Sequence, residues 1–184
     1  MSLWVWISIA VFVVVVLALI VTFNKLVRLR NRAENAWAQI DVQLKRRSDL
    51  IPNFVESVKG YASHERETFE AVTNARANAQ QAKTVEDRAQ AENVLTAALG
   101  RLIAVAEAYP ELRASENFQQ LQAQLAEAED KLAVSRQVYN DTVLTYDTAL
   151  ESFPTNTVAG MLGFKSRQYF EADAAAREAP QVKF

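Results

Sequence analysis

The side chains able to do chemistry in this chain are few and badly placed for it. His64 is the single histidine and there is no cysteine, which removes thiolate metal sites, cysteine nucleophiles, disulfides and His-rich metal clusters. The carboxylates beside that histidine, Glu65, Glu67 and Glu70, read as charges on a solvated helix face. Glu86-Asp87 and Glu127-Glu129-Asp130 interleave with Lys and Arg at helical spacing, again the pattern of an exposed face. No glycine-rich phosphate loop or Gly-x-Ser-x-Gly elbow occurs. The expectation is therefore no catalytic residue, no metal ligand, no cofactor and no enzyme activity. With 20 basic and 22 acidic residues the charge is nearly balanced, and Lys45-Arg46-Arg47 is too short a cluster for a nucleic-acid track. Arg46 and Arg47 are expected to pair with carboxylates such as Asp41 or Asp49, and Trp37 to pack in the core.

What must position these groups is helix. The chain is rich in Ala, Gln, Glu, Leu and Arg and holds only four glycines, a helical composition. Apolar residues recur at steps of three and four, the period of one helical face. The first stripe is Ala33, Trp37, Ile40, Leu44. The second is Ile51, Val55, Val58, Ala62, then Phe69 and Val72. A third runs from Val94 or Leu95 through Ala98, Leu102 and Val105 to Tyr109. The fourth is the most regular, from Phe118, Leu121 and Leu125 through Leu132, Tyr139, Val143 and Tyr146 to Leu150 and Phe153, a coiled-coil-like seam. Ser48 or Asp49 ahead of Pro52 marks a helix boundary near 48, and Thr84 with Asp87 opens the third helix. Tyr109-Pro110 closes the third, Ser115 caps the fourth and Phe153-Pro154 stops it. These breaks give helices of about 24, 33, 25 and 38 residues, suited to an antiparallel, up-and-down four-helix bundle. The competing reading is a kink at Pro52 inside one very long helix, because Leu44, Arg47 and Ile51 carry the apolar phase across it.

Ahead of these helices, Met1 to Asn24 is uncharged, and Leu3 to Val21 is apolar except for Ser8. At about 1.5 Å per residue a helix from Ser2 to Phe23 is roughly 33 Å long, enough to cross a hydrocarbon core of about 30 Å. A cleaved signal peptide wants a basic start, a shorter apolar stretch and small residues at its end, and a core helix of this length shows a polar face; the run has none of these. Residues 1–24 therefore read as a transmembrane anchor, with Trp4, Trp6, Val13, Leu17 and Phe23 facing lipid or its interfaces. Lys25, Arg28, Arg30 and Arg32 follow at once, so the positive-inside rule sets the topology: N-terminus outside, residues 25–153 as a helical-bundle domain in the cytoplasm.

Residues 154–184 form the third part. Phe153, Val158, Met161, Leu162, Phe164, Tyr169 and Phe170 gather around Pro154, Gly160 and Gly163, too short to span a membrane and too apolar for a solvated linker. In the four-helix reading this tail begins near the lipid surface. It either caps its own bundle, meets headgroups or meets a neighbouring subunit, and its last residues are expected to fray.

Several strings resemble the LemA family of bacterial membrane proteins. They are Asn24-Lys25-Leu26-Val27-Arg28-Leu29-Arg30-Asn31, Ala36-Trp37-Ala38-Gln39-Ile40-Asp41-Val42-Gln43-Leu44-Lys45-Arg46-Arg47 and Asp49-Leu50-Ile51-Pro52-Asn53. Val58-Lys59-Gly60-Tyr61-Ala62, His64-Glu65, Phe153-Pro154, Gly163-Phe164 and Tyr169-Phe170-Glu171 extend the resemblance over nearly the whole chain. It implies a short outside segment, one membrane helix and a helical bundle at the bacterial inner membrane, with no catalytic residue. Members of the family resembled here are associated with membrane remodelling in magnetosome formation, and others with membrane-protease or secretion genes.

Two functions from different classes follow. One is a scaffold in the bilayer that forms a homo-oligomer, favoured by the fourth seam and the apolar tail, since parallel anchors in one membrane suit ring-closing contacts. The alternative is a tethered adaptor or regulator holding a protein partner such as a membrane protease or secretion component. Sensing of a small molecule between the helices is a third, with no polar constellation to motivate it.

Overall fold

The computed structural model describes residues 3–170, and among them every regular element is a helix. These are α1 (Leu3–Lys59), α2 (Arg66–Gln81), α3 (Val85–Glu107), the single turn α4 (Pro110–Arg113), α5 (Glu116–Glu151) and α6 (Thr155–Leu162). Met1, Ser2 and residues 171–184, with the last few expected to fray among them, lie outside the described residues. The chain divides into two compact units, one of residues 3–38 with 137–167 and one of residues 39–136 with 168–170.

The first unit contains the apolar run, the arginine-rich stretch after it, the end of α5 and α6. Along the run nearly every side chain is exposed; burial begins at Leu26 and Leu29. These two pack with Tyr146 and Ala149 of α5 and Ala159 of α6. Higher on α1, the Trp37 ring lies 5.5 Å from that of Tyr139. Pairing of 37 with 139 and of 26 with 146 makes this part of α5 antiparallel to α1. Gly163 ends α6 at φ 72°, a left-handed cap that glycine takes without the Cβ clash other residues suffer. Its own N–H bonds the Ala159 carbonyl, as does that of Phe164 at 3.1 Å.

The second unit is built on one apolar cluster shared by α1, α2, α3, α4 and α5. Ile51, Phe54, Val72, Leu102, Leu112 and Phe118 are among its buried members, with the Phe54 and Phe118 rings stacked 5.1 Å apart. Thr84 caps α3 as its spacing suggests, its hydroxyl accepting from the Asp87 N–H at 3.0 Å. The regular stripe of α5 turns inward: Phe118, Leu125, Ala128, Leu132, Tyr139, Val143 and Tyr146 are all buried. Phe153 does not continue it, because α5 ends at Glu151 and leaves that ring 85% exposed.

The boundary expected near 48 is absent. α1 passes through Ser48 and Pro52 to Lys59, and the chain turns only at residues 60–65. The competing reading, a long helix carried through Pro52, is the one found. Pro52 lacks the N–H that would bond the carbonyl four residues back, which is that of Ser48. Arg76 of α2 replaces it, donating from Nε to the Ser48 carbonyl at 2.8 Å. The Ser48 hydroxyl accepts from Arg76 Nε at 3.2 Å and from Gln80 Nε2 at 2.9 Å. Ser48 is thus no cap; it is the point where α2 docks. The apolar phase also runs on, with Leu44, Arg47, Ile51, Phe54 and Val58 all buried. Continuous burial on both sides of the proline outweighs the lost backbone bond once that bond is replaced.

Candidate functional site

In the first unit the residues expected to anchor the chain, Trp4, Trp6, Val13, Leu17 and Phe23, are all exposed, Trp4 to 76% and Leu17 to 56%. The N-terminal part of α1 is the one helix among the described residues long and apolar enough to cross a membrane. Lys25, Arg28, Arg30 and Arg32 lie exposed on the next turns. Arg30 holds its guanidinium 5.7 Å from the centre of the Phe164 ring, and that ring meets Phe23 edge-on at 5.9 Å.

The seven residues singled out in and around the tail do not form one surface. Val158 is buried, Phe164 is half-buried on Phe23, and Phe170 is buried in the second unit with Arg136 stacked 4.9 Å from its ring centre. Phe153, Met161, Leu162 and Tyr169 remain exposed. Past α6 the chain is tied down by polar contacts: Tyr146 Oη donates to the Lys165 carbonyl at 3.1 Å, the Arg167 N–H donates to Asp147 at 3.3 Å, and the Arg167 guanidinium pairs with Glu34 at 2.6 Å. Burial pushes the Asp147 carboxyl above its usual range, and the Arg167 N–H works against that shift.

The second unit contains a buried ionic network that sequence reasoning missed. Arg47 is only 2% exposed. Its Nη1 lies 3.4 Å from Glu92, its Nε 3.1 Å from Glu129, and its Nη2 donates to Thr96 Oγ1 at 2.7 Å. Arg88 approaches Glu92 from the other side at 3.8 Å and pairs with Asp41 at 3.1 Å. Burial raises the Glu92 carboxyl above its usual range, outweighing the pull of Arg47, Arg88 and Arg136. Burial likewise lowers Arg136. Arg46 and Arg47 do pair with carboxylates, but not with the Asp41 or Asp49 offered as examples: Arg46 meets Glu127 at 3.2 Å, Arg47 meets Glu92 and Glu129, and Asp41 meets Arg88. The available signal was position, since Arg47 stands on the buried stripe between Leu44 and Ile51, and Glu92 on that between Ala89 and Leu95.

Arg47 and Glu129 also line a cleft of about 290 Å³ whose other walls include Leu99, Ile103 and Leu125. Arg47 is already engaged by its three partners, so the network's chemistry is that of a lock joining α1, α3 and α5. Among the described residues no group of three or more His, Cys, Asp or Glu could hold a metal. His64 is exposed in the turn after α1, its carbonyl accepting from the Arg66 N–H at 3.0 Å.

The model of the LemA family matches residues 36–184, from the middle of α1 onward. The chain belongs to the LemA family. Its relatives include magnetosome protein MamQ 2 of Paramagnetospirillum magneticum, 26% identical over 85% of this chain and 67% of that protein. MamQ of Magnetospirillum gryphiswaldense is 25% identical with the same coverage. Protein LemA of Metamycoplasma hominis is 27% identical over 84% of this chain and 71% of its own length. The resemblance carried by the Ala36–Arg47 string and the strings after it is thus a family relationship. This LemA-family chain is a helical protein whose first helix is able to anchor it in a membrane.

Proposed function

We propose that this chain is a membrane-anchored, non-enzymatic scaffold that self-associates at the bacterial inner membrane. In this reading its N-terminus lies outside, and α1, α2, α3 and α5 form an up-and-down four-helix bundle in the cytoplasm. One observation carries the proposal: α1 leads an exposed apolar run directly into a region that shares a buried apolar core and buried ion pairs with other helices, with four cations at the junction. A buried arginine already held by Glu92, Glu129 and Thr96 suits a structural part better than a reactive one. The α5 seam is used inside the chain, so self-association draws instead on outward apolar positions such as Val42 and Val94, and on the anchor itself. Relatives named as magnetosome proteins fit a role on a membrane.

The test is the mass and shape of the full-length protein in mild detergent, by light scattering and electron microscopy of one fraction. A closed multi-copy particle is the expected result. A monomer at high concentration overturns self-association and leaves an anchored adaptor for a protein partner.

A further inference from the structure

Among the described residues, the uncharged stretch 152–164, between Glu151 and Lys165, contains the two most exposed apolar side chains outside the α1 run, Phe153 and Met161. Phe153, just before α6, is 85% exposed, and Met161 and Leu162 at its C-terminal end are 82% and 53% exposed, while Val158 and Ala159 of the same helix are buried. Water is a poor neighbour for such a group, and a soluble surface would normally carry charge there. Its position says what covers it. Ala159 packs in the cluster that includes Leu26, and Phe164 lies against Phe23, at the end of the apolar run. Leu26 is only three residues beyond Phe23, about 4.5 Å along the helix. α6 is therefore held within about one turn of the depth at which α1 leaves the hydrocarbon. Lys25, Arg28 and Lys165 are exposed around it, at the level where phosphate headgroups lie.

We propose that α6 is an interfacial membrane foot: Phe153 just before it and Met161 and Leu162 at its C-terminal end are buried in the headgroup and upper acyl layer beside the emerging anchor. The contact with Phe23 and Arg30 fixes the foot to the anchor, so the helical region meets the bilayer at two adjoining points rather than swinging from one. Apolar side chains sunk a few ångströms into the interface, with the exposed Asn156 and Thr157 left among the headgroups, make a monotopic contact. This rests on the anchoring part of the function proposed above, and the experiment separates the two.

The absence of native cysteine allows single fluorescent labels in the full-length protein. Leu17→Cys, Phe153→Cys, Met161→Cys and Asp141→Cys variants are labelled with an environment-sensitive dye and reconstituted in vesicles of phosphatidylglycerol and phosphatidylethanolamine. Quenching is then compared between lipids spin-labelled shallow in the acyl chain and an aqueous quencher. Asp141 is exposed on α5, about 15 Å along the helix from its end at Glu151. Labels at 153 and 161 are expected to emit to the blue of the Asp141 label. Shallow lipid spin labels should quench them several-fold more strongly than the Asp141 label, which only the aqueous quencher should reach. If the Leu17 label is lipid-quenched while 153 and 161 answer only to the aqueous quencher, the foot is overturned and the anchor stands. If Leu17 itself is not lipid-quenched, the anchoring reading fails first and the foot with it. Labels at 153 and 161 shielded from both quenchers, with unlabelled Met161→Cys copies forming a disulfide on mild oxidation by a copper–phenanthroline complex, would give the surface to a second copy and equally overturn the proposal.

Discussion

Arg76 and Pro52 form a compensating pair. The proline orphans the Ser48 carbonyl, and the arginine occupies it from another helix at 2.8 Å. Removing the arginine alone leaves a buried carbonyl short of a donor, so Arg76→Ala is expected to cost about 1–3 kcal/mol. Pro52→Ala restores a backbone N–H four residues on, and in that background Arg76→Ala should cost measurably less. A double-mutant cycle by chemical denaturation of the detergent-solubilised protein checks this, and strict additivity would refute it. Arg47 has a pH signature. Glu92 is raised by burial, so its folded form binds a proton more readily than its unfolded form, and stability falls as pH climbs from the ordinary carboxylate range through the raised value. Arg47→Met removes the cation that opposes that rise. The variant is expected to lose about 3 kcal/mol or more at neutral pH, and less in acid where Glu92 is protonated in both states. Melting temperatures across pH 4 to 8 would show the gap widening upward; a constant gap would mean Glu92 is not the group concerned.

At the scale of elements, α5 carries the longest buried stripe. Leu132 is fully buried at its centre, and Leu132→Ala is expected to cost about 2–5 kcal/mol through lost transfer energy and a cavity, readable as a lowered melting temperature. Val134→Ala, on the exposed side of the same helix, should change stability by under about 0.5 kcal/mol. α6 depends on its left-handed cap, since Gly163 has φ 72°. Gly163→Ala is expected to cost about 1 kcal/mol, and limited proteolysis should find the segment around 163 opened earlier than in the parent protein. The stripes of α3 and α5 were legible because each is one uninterrupted helical face, Leu95, Ala98 and Leu102 in one and Phe118 to Tyr146 in the other. The turn after Lys59 was less so. Its signs were Gly60 and the gap from Ala62 to Phe69 in the second stripe, and Pro52 is the louder break when neighbours are out of view.

At the scale of the molecule, the topology prediction concerns the cations that follow the apolar run. A reporter active only outside the cytoplasm should be silent when fused after Phe184 and active when fused before Met1. Replacing Lys25, Arg28, Arg30 and Arg32 by glutamine should erode that asymmetry. The candidate surface residues illustrate how far composition reaches. Seven apolar side chains in and around the tail looked alike in sequence, yet Val158 and Phe170 are interior while Phe153 and Met161 face outward. Hydrophobicity names residues that need covering, and says nothing of which the chain itself covers.

What the sequence determined by itself was whatever depends on neighbours along the chain: helix from composition and 3.6-residue spacing, an apolar run long enough to cross a bilayer, and the Thr84 cap. Tertiary structure alone decided whatever depends on partners far apart in sequence. Whether Pro52 ends a helix turns on Arg76, twenty-four residues away, because an orphaned carbonyl is tolerable only when another donor reaches it. Whether Arg47 is a surface charge or a buried lock turns on Glu92 and Glu129 from two other helices, because a guanidinium leaves water only where carboxylates already wait for it.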